Sequence, residues 1–454
     1  MTDMKTEELD QLSHFASHLR YQDLPAEVQA HTGWVLADTL ASIVAGSAEP
    51  EMQRLNAVMG LGSGATLIGT GQQVHAEAAA LLNGTAGTFL EMDEGNRFSR
   101  GHPAIHVLPA ALALSEVHGV DAEPFLSALV VGYEVGSRIG AASQLRGAMH
   151  PHGTWGTIGA AAACARVLGS QPNTMRETIN VSSSMTTATS KRTMLEGGLV
   201  RNVYAGLSNR NGVLASQLVA CGFTGERDGL SSLFGEIVSE KFDTTILLCD
   251  LGSDWHLMHN YFKLHSCCRY NHGTLDALDA MAALNPLPAA DRIARIQVTT
   301  YHLAAELNDP APRNTLAAKF SVPFAVATRI VHQSSALSSF TWEAVRDPRV
   351  LALAQKVDIA EDPDMSRRLP NERPARVVIT DIDGRQWTGE AGVNRGDDAS
   401  PYSEEELTHK FLDLTGRVWT EDHAKQVLHA THQLCTGALT LVNWLDLVKA
   451  PPKP

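Results

Sequence analysis

Glu91-Met-Asp-Glu-Gly-Asn-Arg-Phe-Ser-Arg-Gly-His-Pro-Ala-Ile-His106 sets three carboxylates, two guanidinium groups and two imidazoles between apolar runs. Ala76-Glu-Ala-Ala-Ala-Leu-Leu-Asn83 precedes it and Val107-Leu-Pro-Ala-Ala-Leu-Ala-Leu114 follows it. Both flanks read as buried helices. A polar cluster held between them costs stability unless its groups line a cleft or meet partners. The stretch therefore predicts a mainly helical fold with a chemically loaded loop inside it.

Working outward, helical texture continues on both sides. Residues 6–47 predict two helices, the second opening at Leu24-Pro25 because proline suits a first helical turn. Ala122-Glu-Pro-Phe-Leu-Ser-Ala-Leu-Val-Val-Gly-Tyr-Glu-Val-Gly-Ser-Arg-Ile-Gly140 reads as a buried helix whose small residues permit close approach. Gly153, Gly156 and Gly159 follow no strand-like run, so they are not a dinucleotide fingerprint. After about residue 263 the texture changes. Ile293–Tyr301 alternates and is β-branched, predicting a strand. Arg376–Glu390 predicts a hairpin turning at Asp383-Gly384. Ser403 and Glu406 have capping-box spacing, and helices resume from there. The expected architecture is mainly α. A large all-helical domain comprises 1–262 and 401–454, and a smaller α+β domain 263–400. Pro451-Pro-Lys-Pro454 is expected to be a loose tail.

The net charge of −14 argues against a nucleic-acid partner bound by bulk charge, but not against a small anionic substrate met by local cations. No run approaches the ~20 apolar residues of a membrane helix. The start of the chain is acidic and lacks an apolar signal core. The six cysteines are scattered without a CxxC pair, so a reduced, cytoplasmic protein is expected.

Four clusters could carry chemistry. In the first, His102 and Asp93 read as base and acid, with Glu91, Glu94 and Asn96 shaping a pocket. The alternative is a solvated loop whose charges pair with Arg97 and Arg100. The second, His150-Pro-His152, precedes a helix whose N-terminus would present free N–H groups to a carboxylate; without an HExxH motif no metal is expected. The third, Lys263-Leu-His-Ser-Cys-Cys-Arg-Tyr-Asn-His272, lies at the domain boundary, a favoured place for a cleft. There Lys263 and Arg269 could hold carboxylates and His272 could be a second base. The alternative is a junction with a solvated basic face; Cys267 and Cys268 read as buried structural thiols. The fourth holds Lys191 and Arg201 around the helix-breaking Gly197-Gly198.

In this order the clusters resemble the MmgE/PrpD family of 2-methylcitrate dehydratases, cis-aconitate decarboxylases and iminodisuccinate epimerases. Glu91-Met-Asp-Glu…His102-Pro…Val107-Leu-Pro-Ala carries the resemblance, as do Gly132–Gly140, His150–Ala161, Lys263–Gly273 and Lys319-Phe-Ser-Val-Pro-Phe-Ala. The resemblance implies a helical domain built from both chain ends, a smaller α+β domain, a cleft between them, a homodimer and no required cofactor. It places the catalytic histidine on His102, a second site histidine on His152, the site lysine on Lys263 and the acidic pair on Asp93 and Glu94. Three positions depart from it. The usual Asp-Asp-Thr-His reads Asp93-Glu-Gly-Asn96, a lysine becomes Arg201, and a histidine of the mammalian-type decarboxylase becomes Cys268. Arg97, following Asn96, is a candidate for a substrate carboxylate. The expected activity is a cofactor-independent lyase on a small di- or tricarboxylate, first a 2-methylcitrate-type dehydratase. The alternatives are an iminodisuccinate-type epimerase and a cis-aconitate-type decarboxylase.

Overall fold

A computed structural model describes residues 6–453. The expectations for residues 1–5 and for Pro454 lie outside the described residues. The fold is mainly α, 58% helical with small sheets. One hydrophobic core joins Leu40, Leu82, Leu108 and Leu129 of helices Ala26–Ser47, Ala76–Thr88, Pro103–His118 and Ala122–Ala142. Phe411, Leu434 and Trp444 enter the same core from Glu404–Thr415, Glu421–Cys435 and Leu441–Val448. The chain thus returns, after its excursion, to the body it began. A second core collects Leu275, Ile296, Val298, Phe324, Val377 and Ile379. Each such side chain, fully buried, contributes about 1.5–3 kcal/mol.

The second core is built on a four-stranded sheet, in spatial order Gln386–Ala391, Ala375–Asp381, Ile293–Thr300 and Val357–Glu361. The first two junctions are antiparallel and the last is parallel. A register shift between Ile293 and Arg295 lets Ile293 and Ile296 both turn inward, ahead of Val298 and Thr300. The hairpin turns where the sequence predicts: Gly384 takes φ 84° and the Asp381 carboxylate accepts the N–H groups of Asp383 and Arg385. The Ser403–Glu406 capping box is formed.

Two expectations are corrected. The first 262 residues are not purely helical. They supply Ala65–Leu67 with Gln72–Val74, Ser143–Leu145 with Ser239–Phe242, and Gly95–Asn96 with Asn260–Tyr261 as two-stranded ribbons. Strands this short have no readable period. The C-terminal segment is also not loose: the Lys453 N–H donates to Val418 O (2.7 Å) and its ammonium to Gly416 O (2.6 Å).

Two close approaches position the site. A Cβ on Gly159 would stand 2.7 Å from Gly132 O, so helices Ala122–Ala142 and Trp155–Val167 touch backbone to backbone. A Cβ on Gly156 would stand 2.4 Å from the His106 ring, which occupies that space.

Candidate active site

The Glu91–His102 loop is folded back on itself. Asn96 and Gly101 exchange backbone hydrogen bonds (2.8 and 3.3 Å), and the ribbon to Asn260–Tyr261 draws in the segment leading to Lys263. Glu91 and Arg100 at its two ends take left-handed backbone, φ 56° and 55°. Non-glycine residues are held there at a cost, as is common around binding sites. Pro103 opens helix Pro103–His118 and leaves His102 as its N-cap. The Glu94 carboxyl then accepts the Ala104 N–H at 3.0 Å.

His102 is held through one nitrogen. Nδ1 donates to Glu94 O at 2.7 Å, and Asp93 Oδ2 lies 2.9 Å from the same atom. A carbonyl can only accept, so Nδ1 carries the proton and Nε2 is left for chemistry. His102 lines a cavity of about 330 Å³, within the range of small-molecule sites. Beneath it is a buried charge lattice. Arg201 pairs with Glu91; Lys263 Nζ lies 3.6 Å from Glu91 Oε2 and 3.8 Å from Asp93 Oδ1, and donates to Glu91 O at 3.1 Å. Burial opposes ionisation of Asp93, but His102, Lys263 and Arg201 outweigh it and hold its carboxyl well below the usual range.

Further imidazoles surround His102. His152 is 5.0 Å from it, ring to ring, and His106 and His150 each lie 4.7 Å from His152. The His152 N–H donates to His150 Nδ1 at 3.1 Å, so that nitrogen is unprotonated. Burial pushes His106 down to about 4 and His150 and His152 well below the ordinary value, with Arg201 adding to the last two. They are neutral at pH 7. The cavity reaches His150, Pro151 and His152, while the helix proper starts at Trp155.

The loop's two neighbouring carboxylates have different fates. Burial, with Asp38 and Asp93 nearby, raises Glu94 to about 8 against the opposing hydrogen bonds from Ala104 and Tyr133. A carboxyl raised on folding contributes stability that is full below its unfolded value, 4.5, and lost as pH climbs through about 8. Glu94→Gln mimics the protonated form. Its stability relative to wild type should therefore improve from about pH 5 to about pH 9 in urea titrations. An unchanged difference would refute the assignment.

Several expected site residues lie elsewhere. Lys263 is fully buried beneath the carboxylates and outside the cavity lining, because its ammonium is drawn under Glu91 and Asp93. Glu94 caps a helix behind the wall. Asn96 spends its amide on His256 O (2.8 Å) and on the N–H groups of Phe98 and Ser99 (2.9 and 3.1 Å). Arg97 turns away to Asp398, which also holds His259. His272 is buried; its Nδ1 accepts from Arg269 at 3.0 Å and its Nε2 bonds Cys267 O at 3.2 Å, so it braces Arg269. Arg201 and Arg269 do line the cavity, but Glu91 and Asp397 already neutralise them. Cys267 and Cys268 are buried, which raises their thiols to about 12 and about 11. Among the described residues no group of three or more His, Cys, Asp and Glu is placed to hold a metal ion, and no helix is long and apolar enough to cross a membrane.

Sequence reasoning assigned no role to Tyr261, Tyr270 or Arg373, which line the cavity. Only Tyr261 and Tyr270 lie within or beside a quoted motif; Arg373 sits in an irregular loop with no signal. Arg100, an ion-pair partner only in the alternative reading of the loop, lines the cavity and has no carboxylate partner among the described residues.

Comparison with known proteins identifies the family. Residues 10–242 match the MmgE/PrpD N-terminal domain and 265–434 the MmgE/PrpD C-terminal domain. The chain is 26% identical over 451 residues to a cis-aconitate decarboxylase of Aspergillus terreus, covering 92% of this chain and 91% of that one. It is 25% identical to the cis-aconitate decarboxylase of Mus musculus over 389 residues, 78% and 75% of the two chains. The corresponding Homo sapiens protein is 24% identical over 381 residues, 78% and 76%. With both domain models matched over most of its length, the chain belongs to the MmgE/PrpD family.

Proposed function

We propose that this chain is a cofactor-independent lyase acting on a small tricarboxylate, with decarboxylation of cis-aconitate as the leading reaction. The observation that carries it is His102: one nitrogen is locked beside ionised Asp93 and the other faces a cavity walled by guanidinium groups. The cis-aconitate decarboxylases among its relatives favour this over the dehydration expected from the sequence.

The protonated His102 donates from Nε2 to the far carbon of the substrate's double bond. The C–CO₂ bond breaks, its electron pair forms the new C=C, and CO₂ departs. Solvent restores the proton to the ring. One proton is consumed per CO₂, and Asp93 balances the ring's positive charge. Guanidinium groups hold the substrate's carboxylates in place while the electron pair moves from the breaking bond into the new C=C.

Dehydration of a 2-methylcitrate-type hydroxy acid is the second reading. Neutral His152, 5.0 Å from His102, provides the second proton-transfer group that an elimination of water needs. A homodimer, implied by the family, is the proposed assembly, to be checked by light scattering. Incubating the protein with cis-aconitate, citrate and 2-methylcitrate, following CO₂ release and products by NMR, tests the proposal. CO₂ from cis-aconitate is the expected result. Loss of water from 2-methylcitrate without CO₂ from cis-aconitate would transfer the assignment to the second reading, and inertness toward all three would overturn both.

A further inference from the structure

The cations lining the cavity are not equivalent. Arg201 is paired with Glu91, Arg269 with Asp397 and Lys191 with Glu306. Arg146 spends its guanidinium on the carbonyls of Ile237 and Glu236 (2.7 and 3.1 Å). Among the described residues, Arg100 and Arg373 line the cavity with neither a carboxylate partner nor a side-chain hydrogen bond.

Arg373 is the more telling. It is 5% exposed, and its Nη1 is buried with no hydrogen-bond partner. Its guanidinium carbon lies over two aromatic rings, 5.3 Å from the Tyr261 centroid and 5.9 Å from that of Tyr270. This orients the guanidinium but leaves its donors unanswered. A buried, unpaired charge is costly unless something fills its donor positions. Tyr261 also lies 6.3 Å from the His102 ring, so the proton-transfer group and this cation neighbour the same aromatic ring. Arg100 reaches the same cavity from the opposite domain, from a backbone conformation that disfavours any residue with a Cβ.

We infer that Arg373 and Arg100 together form a carboxylate clamp across the cleft. It takes a carboxylate of the substrate remote from the one that reacts, and so selects tricarboxylates over dicarboxylates. Arginine's planar fork suits this, since it holds a carboxylate through two parallel hydrogen bonds. The clamp also ties the small domain to the large one when substrate is bound.

The inference rests on the cavity being the carboxylate-processing site, and the test separates the two. The probes are tricarballylate, a saturated tricarboxylate, and glutarate, its dicarboxylate counterpart, with binding read by calorimetry and turnover measured on cis-aconitate. Arg373→Met and Arg100→Met should each weaken tricarballylate about 10- to 100-fold, the loss of a charged hydrogen-bonded pair. Glutarate affinity should change less than about threefold, and Arg373→Lys should recover part of the loss. On cis-aconitate the loss should appear in KM with kcat largely kept. Arg100 is exposed, so Arg100→Met decides the matter by itself if Arg373→Met does not fold. Tricarballylate bound equally by wild type and a folded Arg100→Met overturns the clamp, as do equal losses for both probes. Arginine-dependent tricarballylate binding without turnover of any substrate supports the clamp while overturning the lyase reading.

Discussion

His102→Asn is expected to lower kcat by about 10²- to 10⁴-fold, the range for removal of a positioned acid–base group. Stability should change little. Asparagine is a favoured helix N-cap, and His102 is the N-cap of helix Pro103–His118. Its amide N–H can still donate to Glu94 O, but nothing replaces Nε2 in the cavity. Steady-state kinetics on cis-aconitate, with thermal melts of both proteins, make the comparison. Activity within about threefold of wild type in a folded variant would remove His102 from the chemistry. Asp93 supports the same conclusion from behind: an ionised carboxylate 2.9 Å from Nδ1 orients the ring and balances its charge.

Lys263→Met should act mainly on stability. Lys263 is fully buried and lies near two carboxylates, so removing its charge leaves Glu91 and Asp93 short of a partner. Breaking a buried pair in this way costs about 3–5 kcal/mol, read as a lower urea midpoint. A pH signature follows. Lys263 helps hold Asp93 below the usual carboxylate range. A depressed carboxyl contributes stability that is present above its unfolded value and lost as pH falls through its folded value. Without Lys263 the folded value rises, so the variant should lose stability at a higher pH than wild type on acidification. Near-normal stability with abolished turnover would instead put the Lys263 ammonium on the substrate.

Much of the fold is legible because it rests on local patterns. The alternation of Ile293–Thr300 gives a strand, Asp383-Gly384 a turn, and Ser403 with Glu406 a cap. The ribbons were invisible because strands of two to four residues are stabilised by partners, not by their own period. For the site, the clusters were found but their roles were mixed. His102, His152, Arg201 and Arg269 reach the cavity; Lys263, Glu94, Asn96, Arg97 and His272 stand behind or beside it.

Residue types and spacing along the chain were enough to mark the His102 loop as the candidate site, to separate a helical part from an α+β part and to point to the family. Which charges remain available to a ligand was settled only by folding. Arg97 is neutralised by Asp398, 301 residues away, and Arg201 by Glu91, from which five α-helices separate it in sequence. Local spacing governs neighbours within a helix turn or a hairpin, whereas ion pairing depends on which surfaces the cores press together. Arg100 and Arg373 are ordinary in sequence, and they stand out because among the described residues no carboxylate pairs with either.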